Sequence, residues 1–419
     1  MKGSYMKDRV ILHCDLNNFY ASVECLYRPE IRAFPVAVCG SPEERRGIVL
    51  AKNQLAKKFG VTTGEPIWQS LQKCPKLVLV RPNFELYLRF SAEAREIFSR
   101  YTSLVEAFGI DECWLDITAI CKNEADGGRF AHEIKELIKE EMGVTASVGV
   151  SFNKIFAKLG SDMKKPDAVT VITRESFPTQ VWRLPAKELL YVGRSTNKKL
   201  LKAGIFTIGD LAQASPTFLR NQLGKWGETL WCFANGMDES PVHRVEYEQT
   251  VKGVGNSMTL PRDLHTEEDV KTTMLVLAES VARRLRNHGL KGRTIQIYVR
   301  DNELAGIERQ GMLEKTTNLS YEIADKAMVL FREKWDWHLP VRAVGVRVTG
   351  ICPEEEYVQM TLLEDDELRY KREQLEVAID GIRDRFGHYS IQRAVLIKDK
   401  DLSANPVEEN VIHPVSYFR

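Results

Sequence analysis

The chain has 419 residues, a formal net charge of +1, 43% hydrophobic residues and 28% charged residues. Two to four domains are expected at this length, and the composition is typical of a soluble globular protein. No apolar run reaches the ~20 residues that a membrane helix needs, and the start MKGSYMKDR lacks the apolar region of a secretory signal. The eight cysteines form neither CxxC nor a zinc spacing, which indicates reduced thiols in a cytoplasmic protein.

The first 150 residues alternate apolar strands with amphipathic helices. A buried strand at 9–14 ends at Asp15, and further strands are predicted within 35–40, 104–118 and 144–150. Helices are predicted at 83–102 and 130–142. This order is the split βαβ pattern of a ferredoxin-like sheet, with residues about 20–80 inserted near its start.

The rest of the chain predicts three further regions. Residues 173–240 read as short basic helices, and a charged linker follows near 240–250. A long helix at 267–288 then precedes strands whose alternation of Ile295, Ile297 and Val299 indicates a half-buried sheet. The tail after residue 353 has helical spacing and then a strand-like end.

Charge is unevenly distributed despite the small net value. Residues 151–202 carry eleven Lys/Arg against four Asp/Glu, and residues 283–300 carry six against none. Residues 353–419 carry nine against fifteen. Basic segments in the middle of the chain suggest a polyanion-binding surface, although charge runs are also common on solvated faces.

Three carboxylates are predicted to converge on one edge of the ferredoxin-like sheet. Asp15 ends the first strand, and Asp111 and Glu112 lie at a hairpin between two later strands that neighbour it. Like charges this close repel, and hard oxygen ligands on rigid strands suit Mg²⁺. Two such ions about 4 Å apart support an in-line phosphoryl displacement. The alternative for the hairpin alone is a pair of solvated turn acids.

Three ordered motifs resemble the Y-family (DinB/UmuC) translesion DNA polymerases. They are DLNNFYASVE (15–24), GIDECWLDIT (109–118) and SFNKIFAKLGSDMKKPD (151–167), and the resemblance favours a UmuC-like bacterial branch. It implies an α+β multidomain right-hand polymerase with a ferredoxin-like palm, small fingers, a helical thumb with a helix–hairpin–helix, and an α/β little finger. The implied boundaries are 8–18 and 83–172 for the palm, 19–82 for the fingers, 173–240 for the thumb, 249–352 for the little finger and 353–419 for a tail.

The resemblance also assigns roles around the reaction centre. Asp15 and Asp111 match the metal-bridging aspartates, Glu112 the third ligand, and Leu16 would add its backbone carbonyl. Two Mg²⁺ ions are implied, with Mn²⁺ as an alternative. The nucleotide-binding positions are Tyr20 (an aromatic gate under the sugar), its neighbour Phe19, Lys165, and Lys57. The family often has a tyrosine and an arginine on the fingers where this chain has Gln54 and Lys57, so that Lys57 would act as a point charge.

Primer–template DNA, a dNTP and a sliding clamp are the implied partners, and no membrane is implied. LLYVGRSTNKKLLKAGIFTIGDLA (189–212) resembles the thumb hairpin, and residues 250–352 match the little finger, to which the basic residues of 283–300 give a basic face. The implied DNA contacts are Lys198, Lys199, Arg283, Arg284, Arg286, Lys291 and Arg293. VQMTLL (358–363) resembles a clamp-binding motif with anchors Gln359, Met360, Leu362 and Leu363, and such a string is also often incidental.

The function that follows is template-directed, low-fidelity DNA synthesis past damaged bases, with roles in DNA repair and the SOS response. Two alternatives use the same residues. A nucleotide cyclase also needs two metals and a carboxylate pair, but it needs neither the basic clusters nor a gate residue. A non-catalytic DNA-binding relative would keep the scaffold, and the intact carboxylates Asp15, Asp111 and Glu112 argue against it.

Overall fold

A computed structural model describes residues 9–40, 47–122, 124–245, 247, 250–355 and 366–406. The chain divides into two compact units. The first contains the described residues up to 39 and from 48 to 247, and the second contains residues 40 and 47 and those from 250 onward. None of the helices within these ranges has the length and apolar character that crossing a membrane requires.

A five-stranded sheet forms the centre of the first unit. Its strands are β1 (Ile11–Leu16), β5 (Val105–Ala107), β6 (Glu112–Asp116), β7 (Ala146–Ser151) and β8 (Val169–Ile172). They lie in the order β5-β6-β1-β7-β8, with β1 antiparallel to both β6 and β7 and with β8 parallel to β7. The first four positions have the predicted ferredoxin-like order. β8 adds a fifth strand.

The two faces of this sheet differ because side chains alternate along each strand. Leu12, Cys14 and Leu16 point into the main hydrophobic core. Three helices pack on that face: α1 (Phe19–Tyr27), α4 (Phe84–Ser99) and α5 (Glu124–Met142). His13 and Asp15 point to the opposite face, which α6 (Lys154–Met163) covers.

A smaller sheet is inserted between β1 and α4, as predicted for residues about 20–80. It contains β2 (Val36–Cys39), β3 (Val49–Lys52) and β4 (Val78–Val80) in the order β3-β2-β4. Two short helices accompany it: α2 (Gln54–Lys58) and α3 (Ile67–Lys73). Asn53 caps α2, because its side chain accepts a hydrogen bond from the Ala56 amide.

Five helices complete the first unit. They are α7 (Phe177–Gln180), α8 (Arg194–Lys202), α9 (Ile208–Gln213), α10 (Pro216–Leu223) and α11 (Lys225–Ala234). They share one hydrophobic core with part of α6. Thr207 and Asp210 form a capping box at the start of α9, which fixes the turn after α8.

The second unit is an antiparallel sheet covered by helices. The strands β9 (Gly253–Leu264), β10 (Leu290–Asp301), β11 (Gly306–Thr317) and β12 (Val341–Pro353) lie in the order β11-β10-β12-β9. Two helices, α12 (Glu267–Asn287) and α13 (Ser320–Lys334), pack on one face. Ile295, Ile297 and Val299 are fully buried against them, which confirms the predicted half-buried sheet.

The tail contributes one long helix, α14 (Asp366–Phe386), to the second unit. The strand-like end that the sequence predicts is instead a 3-10 turn at Ala394–Lys398. Leu396 is buried within that turn, while Ile397 next to it is 58% exposed. One anchoring apolar side chain is enough for a turn, whereas a strand needs a partner strand to pair with.

Candidate active site

Strand register brings the acidic residues together. Asp15 lies directly opposite Glu112 in the β1–β6 pair, and the Leu16 amide donates to the Asp111 carbonyl at 2.9 Å. Residues opposite each other in an antiparallel pair point to the same face. The predicted convergence of Asp15 and Glu112 at one edge of the sheet is therefore what the register produces, and Asp111 begins the adjoining turn.

Two lysines surround these acids. Lys158 Nζ lies 3.0 Å from Asp15 Oδ2 and 2.6 Å from Glu112 Oε2. Lys165 Nζ lies 2.7 Å from Asp15 Oδ2 and 2.8 Å from Asp162 Oδ1. The sequence predicts a role at the site for Lys165 but not for Lys158, because a lysine within an amphipathic helix is ordinarily a solvated surface residue.

The third acid has no such partner. Within the described ranges, no lysine or arginine forms an ion pair with Asp111. Burial, followed by the charges of Asp15 and Glu112, raises the pKa of Asp111 to about 7. Burial also raises the pKa of Glu112, although the charge of Lys158 opposes the shift. The site is therefore short of positive charge at Asp111.

His13 is a further group at the site that the sequence reading missed. The Ser161 hydroxyl donates to the Lys158 carbonyl at 2.8 Å, so it accepts a hydrogen bond from His13 Nδ1 at 2.9 Å. Burial lowers the pKa of His13, and the neutral ring then presents Nε2 as an acceptor. This Nε2 is buried without a hydrogen-bond partner, 3.5 Å from Glu112 Oε2. Its position two residues before Asp15, on the same face of β1, is the signal that could have identified it.

The donor set fits a divalent cation. Ligand atoms of His13, Asp15 and Glu112 all lie within 4.8 Å of one another. An orphaned acceptor nitrogen beside carboxylate oxygens is an arrangement that a bound cation stabilises. Carboxylates are the ligands that Mg²⁺ prefers, and the adjacent Asp111, which forms no ion pair with a lysine or arginine of the described residues, adds to the attraction.

The two aromatic residues after the first carboxylate are both buried. Tyr20 stacks on Tyr87 with ring centroids 4.3 Å apart and contacts Phe84 edge-on at 5.8 Å. Phe19 packs against Tyr20 and Tyr87 and is 3% exposed. Burial and then the charge of Asp111 raise the pKa of Tyr20, which places this ring near the acids. The packing holds Tyr20 in one orientation.

The remaining sequence-predicted basic residues of the first unit lie on exposed helix surfaces. Lys57 is exposed on α2, beside the smaller sheet. Lys198 and Lys199 are exposed on α8, together with Lys202 at its end. All four side chains are accessible to an anionic ligand.

In the second unit, several of the basic residues predicted to contact DNA form ion pairs with acidic residues of α14. Arg286 is 10% exposed and binds Glu376 at 2.6 Å and Asp380 at 2.7 Å. The structure therefore contradicts Arg286 as a contact to DNA, because its donors are used inside the unit. Arg283 forms an ion pair with Asp384.

The other predicted contacts of this unit differ in access. Lys291 is 12% exposed and lies 3.7 Å from both Glu354 and Glu373. Arg284 donates to the Gly255 carbonyl at 3.0 Å. Arg293 is exposed and donates to the Leu313 carbonyl at 2.9 Å. Arg293 is thus the one of these three with an exposed side chain. The predicted clamp anchors, Gln359, Met360, Leu362 and Leu363, lie outside the described residues.

Comparison with protein families matches three segments of the chain. Residues 14–162 match the impB/mucB/samB family, and residues 251–362 match the C-terminal domain of that family. Residues 187–238 match a thumb domain described for DNA polymerase-iota. The three matches together extend over both units.

Curated relatives match nearly the whole chain. DNA polymerase IV of Acetivibrio thermocellus is 56% identical over 395 residues, which cover 94% of this chain and 99% of the relative. DNA polymerase IV 2 of Bacillus subtilis is 36% identical over 396 residues, which cover 93% of this chain and 95% of the relative. Among solved structures, a Y-family DNA polymerase chimera covers 82% of this chain and 99% of its own length, with a TM-score of 0.72 and 24% identity.

Proposed function

The chain belongs to the impB/mucB/samB family of Y-family DNA polymerases, and we propose that Asp15, Asp111 and Glu112 form the reaction centre with which it extends a DNA primer. It is a DNA-directed DNA polymerase of the translesion type. The curated relatives support a DinB-like member, and they do not point to the UmuC-like branch that the sequence favoured. Neither a nucleotide cyclase nor a non-catalytic relative is favoured by this family membership.

Divalent metal dependence is general in this family, and we assign the metal as Mg²⁺, with Mn²⁺ as a substitute. Asp15 and Asp111 would hold both of two ions, Glu112 one of them, and Leu16 would contribute its backbone carbonyl. When bound, the ions supply activation of the primer hydroxyl and charge neutralisation at the triphosphate. The raised pKa of Asp111, together with its lack of a lysine or arginine ion pair among the described residues, supports this assignment.

The nucleotide is a dNTP in this proposal. Tyr20 would lie under the sugar, where a ring held by Tyr87 and Phe84 leaves no room for a 2′-hydroxyl. Lys165 would release Asp162 and bind the triphosphate, since its side chain is 27% exposed. Lys57 would add a point charge from α2. Phe19 supports Tyr20 from the core side.

Primer–template DNA would be bound by sequence-independent phosphate contacts. In the first unit these are Lys198 and Lys199 on α8. In the second unit, the sheet face opposite α12 and α13 carries Arg300 and the exposed Arg347, and the exposed Arg293 lies at the start of β10. Such contacts weaken with salt because binding releases counterions.

Residues 358–363 would dock on a sliding clamp, with Gln359 and the apolar positions as anchors. A glutamine followed by Met360 and then by Leu362 and Leu363 is a short linear motif, and it ends three residues before α14 begins at Asp366. We place the reaction in the cytoplasm, because the relatives are bacterial DNA polymerases.

The observation that carries the proposed reaction centre is the pairing of Asp15 with Glu112, next to Asp111, whose pKa burial and these two acids raise. Asp111→Asn is expected to abolish primer extension in Mg²⁺ while leaving primer–template binding largely intact. The matched control is Asp116→Asn at the far end of β6, where the carboxylate accepts bonds from Thr118 and lies 3.8 Å from Arg9. This control should keep its extension activity. Undiminished extension by Asp111→Asn would rule out the metal role.

A further inference from the structure

Helix α6 is held unusually close to the sheet that carries the acids. A Cβ on Gly149 would lie 1.9 Å from the Ala157 carbonyl and 2.5 Å from the Ser161 amide. The helix backbone therefore rests directly on β7 where this side chain is missing. Lys158, which follows Ala157, is consequently placed over the acidic edge with little freedom to withdraw.

Lys158 bridges two strands through one ammonium group. Its Nζ contacts Asp15 on β1 and Glu112 on β6, and its side chain is only 13% exposed. A third carboxylate, Asp162, lies 3.3 Å away, one helical turn further along α6. An ammonium has three protons, so these partners account for its whole donor capacity.

The two lysines of the site are not equivalent. Lys165 reaches Asp15 from the more open side, with 27% of its side chain exposed, and does not contact Glu112. Lys158 is the one that spans the pair of acids proposed to bind metal. Its ammonium group thus occupies part of the space that a bound cation would occupy and supplies part of the positive charge that the cation would supply.

We propose that Lys158 is a resident counter-ion that holds Asp15 and Glu112 in place before metal binds and competes with the divalent ion for them. This inference rests on the proposed metal site. Its consequence is that the free enzyme binds a divalent ion more weakly than it would without the Lys158 charge. Lys158 is in this sense a positioning residue and not a catalytic one.

Metal binding by the full-length protein tests this without relying on activity. Mn²⁺ would be titrated into the protein in the absence of DNA and nucleotide, and free Mn²⁺ would be followed by electron paramagnetic resonance. Lys158→Met keeps the aliphatic chain and removes the charge. We expect it to bind Mn²⁺ at least ~10-fold more tightly than the wild type, because a cation near the ion has been removed. Lys158→Arg should remain close to the wild type.

Lys154 offers the matched control. It lies one turn earlier on α6, is 10% exposed, and its ion pair at 2.7 Å is with Glu106, which is not one of the proposed metal ligands. Lys154→Met removes a lysine of similar burial from the same helix, and it should leave Mn²⁺ affinity unchanged. A tighter binding shared by both variants would overturn the proposal, since it would then reflect a general loss of charge.

The remaining outcomes separate this inference from the metal site itself. The wild type could bind Mn²⁺ saturably, with a lower affinity in Asp111→Asn, which would support the metal site. If Lys158→Met then binds Mn²⁺ no more tightly than the wild type, the counter-ion role alone is refuted. If neither the wild type nor Lys158→Met binds Mn²⁺ saturably, both the metal site and the counter-ion are refuted. Lys158→Met could also be unfolded in EDTA, because it leaves Asp15 and Glu112 without their counter-ion. In that case we expect Mg²⁺ to restore the fold and K⁺ at equal ionic strength not to restore it. Failure of Mg²⁺ to restore the fold refutes the proposal.

Discussion

Replacing Asp111 by asparagine is expected to stabilise the metal-free enzyme at pH 8 and to have almost no effect at pH 4. The carboxyl group has an ordinary pKa of 3.8, which the fold raises to about 7. Between these values the native state holds a proton that the unfolded chain has lost. The contribution of Asp111 to the free energy of unfolding therefore falls as the pH rises from about 4 to about 7. Above that range the contribution no longer changes.

The magnitude follows from the same two values. A change in pKa from 3.8 to about 7 corresponds to about 4 kcal/mol. Asp111 is half-buried, so solvent screens part of this, and we expect about 2 kcal/mol. Urea unfolding in EDTA, followed by tryptophan fluorescence from pH 4 to pH 8, measures the difference between the variant and the wild type.

A control with the opposite sign is available at Asp167. A hydrogen bond from Lys135 lowers the pKa of this carboxyl group, so its stabilising contribution is present at neutral pH and lost as the pH falls. Asp167→Asn should therefore destabilise the protein at pH 7 and not at low pH. An Asp111→Asn variant that is no more stable than the wild type at pH 8, or whose advantage does not change with pH, would refute the reasoning.

Three other changes test the proposed contacts. Tyr20→Ala should admit ribonucleotides, measured as a rise in the ratio of kcat/KM for an rNTP to that for the matching dNTP. Tyr27→Ala, at an exposed position of the same helix, should leave this ratio unchanged. An unchanged ratio for Tyr20→Ala would exclude Tyr20 as the gate. Lys199→Ala should weaken primer–template binding equally on all sequences and reduce the salt slope by about 1. Equal salt slopes for Lys199→Ala and the wild type would refute the thumb contact. Alanine at the glutamine and leucines of 358–363 should remove clamp stimulation but not basal extension, and an intact clamp pull-down would show that the string is incidental.

Much of the geometry of the proposed reaction centre was predictable, because the ends of strands and hairpins follow local rules. Asp15 follows an apolar strand and Glu112 opens another, so a ferredoxin-like order is enough to place them side by side. The fold class followed from the same alternation of strands and helices. The order of the small sheet and the added strand β8 depended on long-range pairing, which periodicity does not encode.

The residues missed or misread all depend on partners far away in the chain. Lys158 and His13 acquire their roles only because Gly149 lets α6 rest on the sheet. Arg286 belongs to a basic run that resembles a nucleic-acid surface, yet its acidic partners lie 90 and 94 residues further along the chain. A count of charges cannot distinguish a solvated arginine from one neutralised by a distant helix.

Helix α14 buries its charged side and exposes apolar side chains, the reverse of an ordinary surface helix. Glu376, Asp380 and Arg383 are at most 8% exposed, whereas Leu375 and Phe386 are 56% and 65% exposed. The partners of the charged side include Glu279 of α12, which is buried, and Arg286 of α12, which is 10% exposed.

Removing the tail would consequently leave ions of both signs stranded in the body of the second unit, where an unpaired charge is far more costly than a lost surface contact. We therefore expect a polymerase shortened to end near residue 353 to have a less stable second unit than the full-length protein. For the same reason, we expect a charge-removing substitution on either side of this interface to need a compensating substitution on the other.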